Sequence, residues 1–109
     1  MQQMGDYEVL SHVEMPECSL RILSLKPAQF VASHLHKEST QVYTVLERLV
    51  EARIGDRIYQ LRPYETVRIE KGAVHSVRAL GESALVLSLS IPPLSRGDQH
   101  VVGSDTTPA

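Results

Sequence analysis

His34 and His36, two residues apart, and His75, 39 residues after His36, are the side chains of this sequence whose type and spacing suit metal chemistry. In an extended strand, residues two apart leave the same face, so His34 and His36 present two imidazoles in one direction. His75 follows Gly72 in a second β-rich segment, and a barrel can lay that segment beside the first. Three imidazole nitrogens facing one point make a site for a divalent ion, with positions left open for water or substrate. Imidazoles coordinate only when neutral, so binding is expected to weaken as the pH falls below their reference pKa of about 6.5. An HxH pair by itself is a weak signal in a chain with five histidines. The elements around it therefore matter, and His12 and His100 are read as surface residues.

Those elements are strands. Apolar residues recur with period two in Tyr7 to His12, Cys18 to Leu25, Phe30 to His36, Gln41 to Ile54, Arg57 to Arg62, Thr66 to Ile69, Val74 to Leu80 and Ala84 to Ile91. Turn residues separate them: Lys26-Pro27, Gly55-Asp56, Pro63, Gly72, Gly81-Glu82 and Pro92-Pro93. Glu47 to Arg53 has helical propensity, but Val45, Val50 and Ile54 are β-branched and the run feeds the Gly55-Asp56 hairpin, so it is read as strand. Short strands at this spacing predict an all-β sandwich or barrel. With 109 residues, 42% of them apolar and 22% charged, the chain suits one packed domain, expected over 7–102, between a flexible N-terminus at 1–6 and a flexible tail at 103–109.

From His34 to Leu80 the chain resembles the cupin family, whose motifs have the forms HxHxxxxE and PxGxxH on either side of a hairpin. The first motif reads His34-Leu-His36-Lys-Glu-Ser-Thr-Gln41 and continues as Val42-Tyr-Thr-Val-Leu-Glu47. The second reads Glu70-Lys71-Gly72-Ala73-Val74-His75, and Ile54 to Pro63 is similar to the intervening hairpin. The resemblance implies a double-stranded β-helix (cupin, or jelly-roll) barrel, frequent pairing into homodimers, and one metal ion held by His34, His36, His75 and the residue at position 41. Gln41 stands where the family has a Glu ligand, Arg48 and Tyr64 where turn glycines are common, Glu70 in place of proline and Ala79 in place of asparagine. Tyr64 would be strained at positive φ, so its turn is expected to avoid that region. Gln41 is a neutral ligand that leaves the metal its full charge. Glu38 is an alternative carboxylate if the strand runs on past His36, although the family pattern puts a turn there.

Tyr43 lies two residues beyond Gln41, on the same face, and is either a ligand-holding hydroxyl or a core tyrosine. Phe30 similarly either caps the cavity or fills the core. Cys18 alternates with Leu20 and Ile22 as a packed small residue, and Arg96-Gly97-Asp98 is read as a surface tripeptide. The ligand set implies one divalent transition metal, iron, manganese, nickel or zinc, and a small-molecule ligand; no residues outside that set form a recognisable acid/base pair, so the catalytic residues are unassigned. An oxygenase- or isomerase-like enzyme and a non-catalytic binding or sensing barrel both fit. A homodimer is expected also because Ser83 to Ile91 is too apolar for a solvated face. The eleven Lys and Arg are scattered among thirteen Asp and Glu, which gives no support to nucleic-acid binding. The single cysteine excludes an intrachain disulfide. With no signal-peptide pattern and no long apolar run, a cytoplasmic location and no membrane span are expected.

Overall fold

Period-two patterning yields eleven strands and one 3-10 turn in the computed structural model, which describes residues 5–102. The strands are β1 Gly5–Asp6, β2 Glu8–Glu14, β3 Ser19–Leu25, β4 Phe30–Leu35, β5 Thr40–Glu47, β6 Val50–Ile54, β7 Arg57–Leu61, β8 Thr66–Ile69, β9 His75–Ala79, β10 Ala84–Ile91 and β11 His100–Val101. The 3-10 turn spans Arg96–Asp98. One sheet has the order β1-β4-β9-β6-β7, with β11 also on β4, and the other has the order β2-β3-β10-β5-β8. All pairings are antiparallel. This is the expected all-β barrel.

The two sheets bury their alternate residues against each other. Leu23, Leu25, Val31, Val45, Val50, Ala52, Val77 and Val86 belong to one shared core, and removing such side chains from water is the main stabilising term for a fold of this size. Strand β10 is central and paired on both sides. Its inward residues are Ala84, Val86, Ser88 and Ser90, so the inner face turns from apolar to polar along its length.

Three sequence expectations need correction. Gly5–Asp6, placed in a flexible N-terminus, instead pairs with Val31 and Phe30; the expected tail at 103–109 lies outside the described residues. The run from Gln41 to Ile54 is two strands rather than one, because Arg48 takes φ 67° and breaks the ladder before Val50. Tyr64, expected to avoid positive φ, has φ 72°. Its side chain is 84% exposed and meets no wall. The turn is fixed by Tyr64 N–H to Val45 C=O (2.7 Å), Glu65 N–H to Arg62 C=O (3.0 Å) and Arg62 N–H to the Glu65 carboxylate (2.7 Å). Those bonds offset a left-handed cost of about 1–2 kcal/mol.

Candidate metal centre

A β-bulge aims the first histidines. Val31 pairs with Val77 and His34 with His75, so three steps on β4 match two on β9. The extra residue reverses the alternation between Val31 and His34, and both face inward although they are an odd number of residues apart. From there the regular period resumes, and His34 and His36 are both buried on the inner face. His75 opens β9 directly opposite His34. The turn before it is tied to the first motif, since Gly72 N–H donates to His36 C=O at 2.7 Å. Gly72 has φ 78°, a conformation natural to glycine.

Each imidazole is oriented by a backbone carbonyl. His34 Nδ1 donates to Ala32 C=O (2.6 Å), inside the bulge, His36 Nδ1 to Asp98 C=O (2.8 Å) and His75 Nδ1 to Ala73 C=O (3.0 Å). A carbonyl can only accept, so each Nδ1 carries the proton and each Nε2 of a neutral ring is left as a bare acceptor. One ring nitrogen from each histidine lies within 4.8 Å of the others, and the rings of His34 and His75 have centroids 4.1 Å apart. Among the described residues, buried His36 Nε2 has no hydrogen-bond partner. A buried acceptor without a donor is costly, and a cation shared by three such acceptors removes that cost. The donor set fits a divalent transition metal, with carbonyls supplying the outer support such ligands need.

Gln41 joins this group. Its side chain is 2% exposed, its Nε2 donates to Ser90 Oγ (2.8 Å), and its Oε1 lies 3.1 Å from His75 Nε2 and 3.4 Å from Tyr43 OH. In this orientation the amide oxygen is a fourth acceptor turned to the histidines. Rotating the amide would instead pair Gln41 with His75 and the Ser90 hydroxyl, so the case for a cation rests on His36. Tyr43, 3% exposed, is both core and cavity wall.

Two candidates fall outside. Phe30 is 46% exposed, because alternation turns Val31 rather than Phe30 inward, so it neither fills the core nor lines the cavity. Glu38 is exposed in the turn after β4, where its N–H donates to Asp98 Oδ2 at 2.9 Å. The strand ends at Leu35, which removes the periodicity that would have turned Glu38 inward.

Sequence reasoning missed Asp98. Read as part of a surface tripeptide, it is 2% exposed. Its carbonyl orients His36, and its carboxylate accepts from the N–H groups of Lys37 (2.6 Å) and Glu38 (2.9 Å), clamping the turn that follows the HxH pair. His100 Nε2 lies 3.5 Å from the same carboxylate. No local pattern marks a residue about sixty positions from its partners; an Asp beside a short turn was the only hint.

Burial sets the charge of the centre. It lowers the pKa of His34 to about 3, with the neighbouring His75 adding to the effect and the Ala32 bond opposing it. Burial likewise lowers His75 to about 4, and lowers His36 against the opposing pull of Asp98. All three are neutral at neutral pH. Protons therefore compete for His34 and His75 well below pH 6.5, which moves the expected acid limit downward. Asp98 stays ionised: burial would raise its pKa, but the Glu38 and Lys37 N–H groups hold it below the usual range.

No family model and no curated protein matches the sequence. Solved structures do. TT1209 from Thermus thermophilus is 27% identical, with TM-score 0.76 over 81% of this chain and 85% of that one. A cupin 2 domain-containing protein from Halorhodospira halophila is 23% identical, with TM-score 0.75 over 93% and 72%. An uncharacterized conserved protein with a double-stranded β-helix domain from Klebsiella pneumoniae is 19% identical, with TM-score 0.75 over 94% and 87%. With its two antiparallel sheets, this chain has the double-stranded β-helix fold of cupin domains, and His34, His36 and His75 stand together inside it where they could hold a metal ion.

Proposed function

We propose that this protein binds one divalent transition-metal ion, iron, manganese, nickel or zinc, through Nε2 of His34, His36 and His75, with Gln41 as a fourth, neutral donor. We further propose that it acts on a small organic oxygen-containing molecule in an isomerase- or oxygenase-like reaction. The observation that carries the metal assignment is the convergence of three imidazoles whose Nδ1 atoms are spent on carbonyls, with His36 Nε2 left as a buried acceptor. A metal held by neutral ligands keeps its full charge and serves as a strong Lewis acid toward carbonyl or enolate oxygen. Around it, the chain supplies apolar walls in Leu23, Val31 and Leu94, and offers Tyr43 OH as a hydrogen-bond donor. Burial pushes the Tyr43 phenol well above its usual range, so it keeps its proton.

A non-catalytic small-molecule-binding or sensing role is the second reading. One observation favours it: among the described residues no Asp, Glu or Lys lines the cavity, and the histidines are too weakly basic to shuttle protons near neutrality. Elemental analysis of protein purified without added metal, followed by oxygen-uptake and isomerisation assays with the native metal restored, decides between the two. Near-stoichiometric metal with turnover supports the enzyme; metal without turnover supports the binding role; absence of metal sinks both in their metal form.

A homodimer in the cytoplasm completes the proposal. Support for pairing comes from β2, where Val9, Leu10 and Val13 are 45%, 57% and 51% exposed on an edge strand. A monomer mass at micromolar concentration by sedimentation equilibrium overturns it. Among the described residues no helix is long and apolar enough to cross a membrane.

A further inference from the structure

Strand β3 sends Ser19, Leu23 and Leu25 into the barrel, and the same alternation puts Arg21 on that face. Arg21 is half-buried and lines the same cavity as His34, His36, Gln41 and Tyr43. Register fixes its place: Ser88 pairs with Arg21 on one side and with Tyr43 on the other. Two strand spacings, about 9–10 Å, therefore separate the Arg21 backbone from that of Tyr43. A long side chain and a small ligand together span that distance.

The charge of the cavity is one-sided. Among the described residues, no carboxylate lines it and none forms an ion pair with Arg21. The Arg21 Nε donates to His12 Nδ1 at 3.1 Å, a contact that leaves both terminal nitrogens for another acceptor. The nearest acid to the centre, Asp98, has its oxygens engaged by the Lys37 and Glu38 N–H groups. A guanidinium on the inner face of a barrel, without a countercharge, is a site for an anion.

We propose that Arg21 is the anion-binding residue of this cavity and that its ligand is a small carboxylate, held by the Arg21 guanidinium at one end and directed by another oxygen toward the three histidines. The direction toward the histidines rests on the metal reading above; the Arg21 contact does not. A guanidinium matches the two oxygens of a carboxylate in a bidentate fork. In metal-free protein a phosphate dianion would call for a second cation beside Arg21, and among the described residues no other Lys or Arg lines the cavity. The enclosed space is only about 20 Å³, room for about one water, so the ligand is a molecule of a few heavy atoms seated at the open mouth beside Arg21.

The test uses the whole protein, with metal content measured first. Glycolate and its uncharged counterpart ethylene glycol are titrated calorimetrically into zinc-loaded and chelator-stripped wild type, Arg21→Gln and Arg21→Lys. Wild type is expected to prefer glycolate by at least about tenfold. Arg21→Gln should lose about 10- to 100-fold in glycolate affinity, the usual worth of a hydrogen bond to a charged group, with metal content unchanged, and Arg21→Lys should recover part of it. A chain that takes up no zinc sinks the metal reading, while glycolate loss in stripped Arg21→Gln still supports the Arg21 site. Equal affinity for the two probes, unchanged glycolate binding in Arg21→Gln, no glycolate binding to wild type, or tighter binding of inorganic phosphate than of glycolate when both are titrated into the stripped protein each overturns the proposal.

Discussion

The two ends of this barrel are built from the same strands and differ in what those strands turn inward. At one end Leu25 faces Ala84, and Leu23, Val86 and Val45 form a row across three strands. At the other end the rows are Ser19, Ser90 and Gln41, then Arg21, Ser88 and Tyr43, facing His34 and His75 on the opposite sheet. The apolar end stabilises the fold by excluding water. The polar end buries groups that gain from burial only if they find partners. It holds together because every imidazole Nδ1, the amide of Gln41 and the carboxylate of Asp98 are tied to neighbours, and the bare Nε2 acceptors, His36 Nε2 above all, point to a cation. One fold thus keeps stability and chemistry in separate layers.

That separation is most easily broken at the histidines. His75→Ala or His34→Ala should reduce metal content from about one ion per chain to near zero, because the site loses one of its three imidazoles, leaving two and the weaker Gln41 amide. Mass spectrometry of the purified variants measures this, and stoichiometric metal in either one removes the centre as drawn. The counterpart at the apolar end is Leu25→Ala. Leu25 is fully buried, so the substitution should cost about 2–5 kcal/mol in denaturant unfolding and leave metal content unchanged. Loss of metal in Leu25→Ala would show that the two ends are not separable.

How far this division was legible in the sequence follows from how local each feature is. Period two alone identified nearly every strand, because one face of each is buried and the other is not. HxH, the glycine before His75 and the intervening hairpin placed all three histidines correctly. Tyr64 misled, since its positive φ is held by the bond to Val45 and by those between Arg62 and Glu65 rather than by glycine, and Arg48 misled by breaking a run that reads as one strand. The bulge that aims His34 is also invisible locally: it exists only as a mismatch of register between β4 and β9. Asp98 and Arg21 were passed over for the same reason. A residue beside a turn and a charge in an alternating strand become site residues only when the opposite wall is known.

Acid should act on the polar end first. In metal-free protein His34 and His75 titrate at about 3 and about 4, while in the unfolded chain they titrate near 6.5. Between about pH 4 and 6.5 the unfolded state therefore binds protons that the folded state refuses, and stability falls as pH falls. Each of the two contributes about 1.4 kcal/mol per pH unit across that window. Urea midpoints of chelator-stripped protein from pH 7 to 4.5 measure the slope. Leu25→Ala should run parallel to wild type, displaced downward, whereas His75→Ala should show a shallower slope. A flat wild-type profile would mean that these imidazoles are not buried and neutral.

The finest probe of the boundary between the two layers is Gln41→Glu. Gln41 sits in the row of Ser19 and Ser90 with its amide turned to His75. A carboxylate there donates more charge to a metal than an amide oxygen does, so metal affinity should rise by roughly tenfold or more, read by chelator competition on both proteins at one pH. The same change should weaken the metal-free fold. Glutamate cannot supply the N–H that Gln41 gives Ser90 Oγ, and a buried carboxylate facing bare imidazole nitrogens has no donor among them, a loss of about 1–3 kcal/mol. Metal should thus reverse the order of stability: the variant below wild type when stripped, and level with it or above when loaded. If the amide only pairs with His75 and Ser90 and never meets the metal, affinity should stay within about threefold, and the variant should remain the less stable protein in both states. That outcome would move Gln41 to the supporting wall and leave a centre of three histidines.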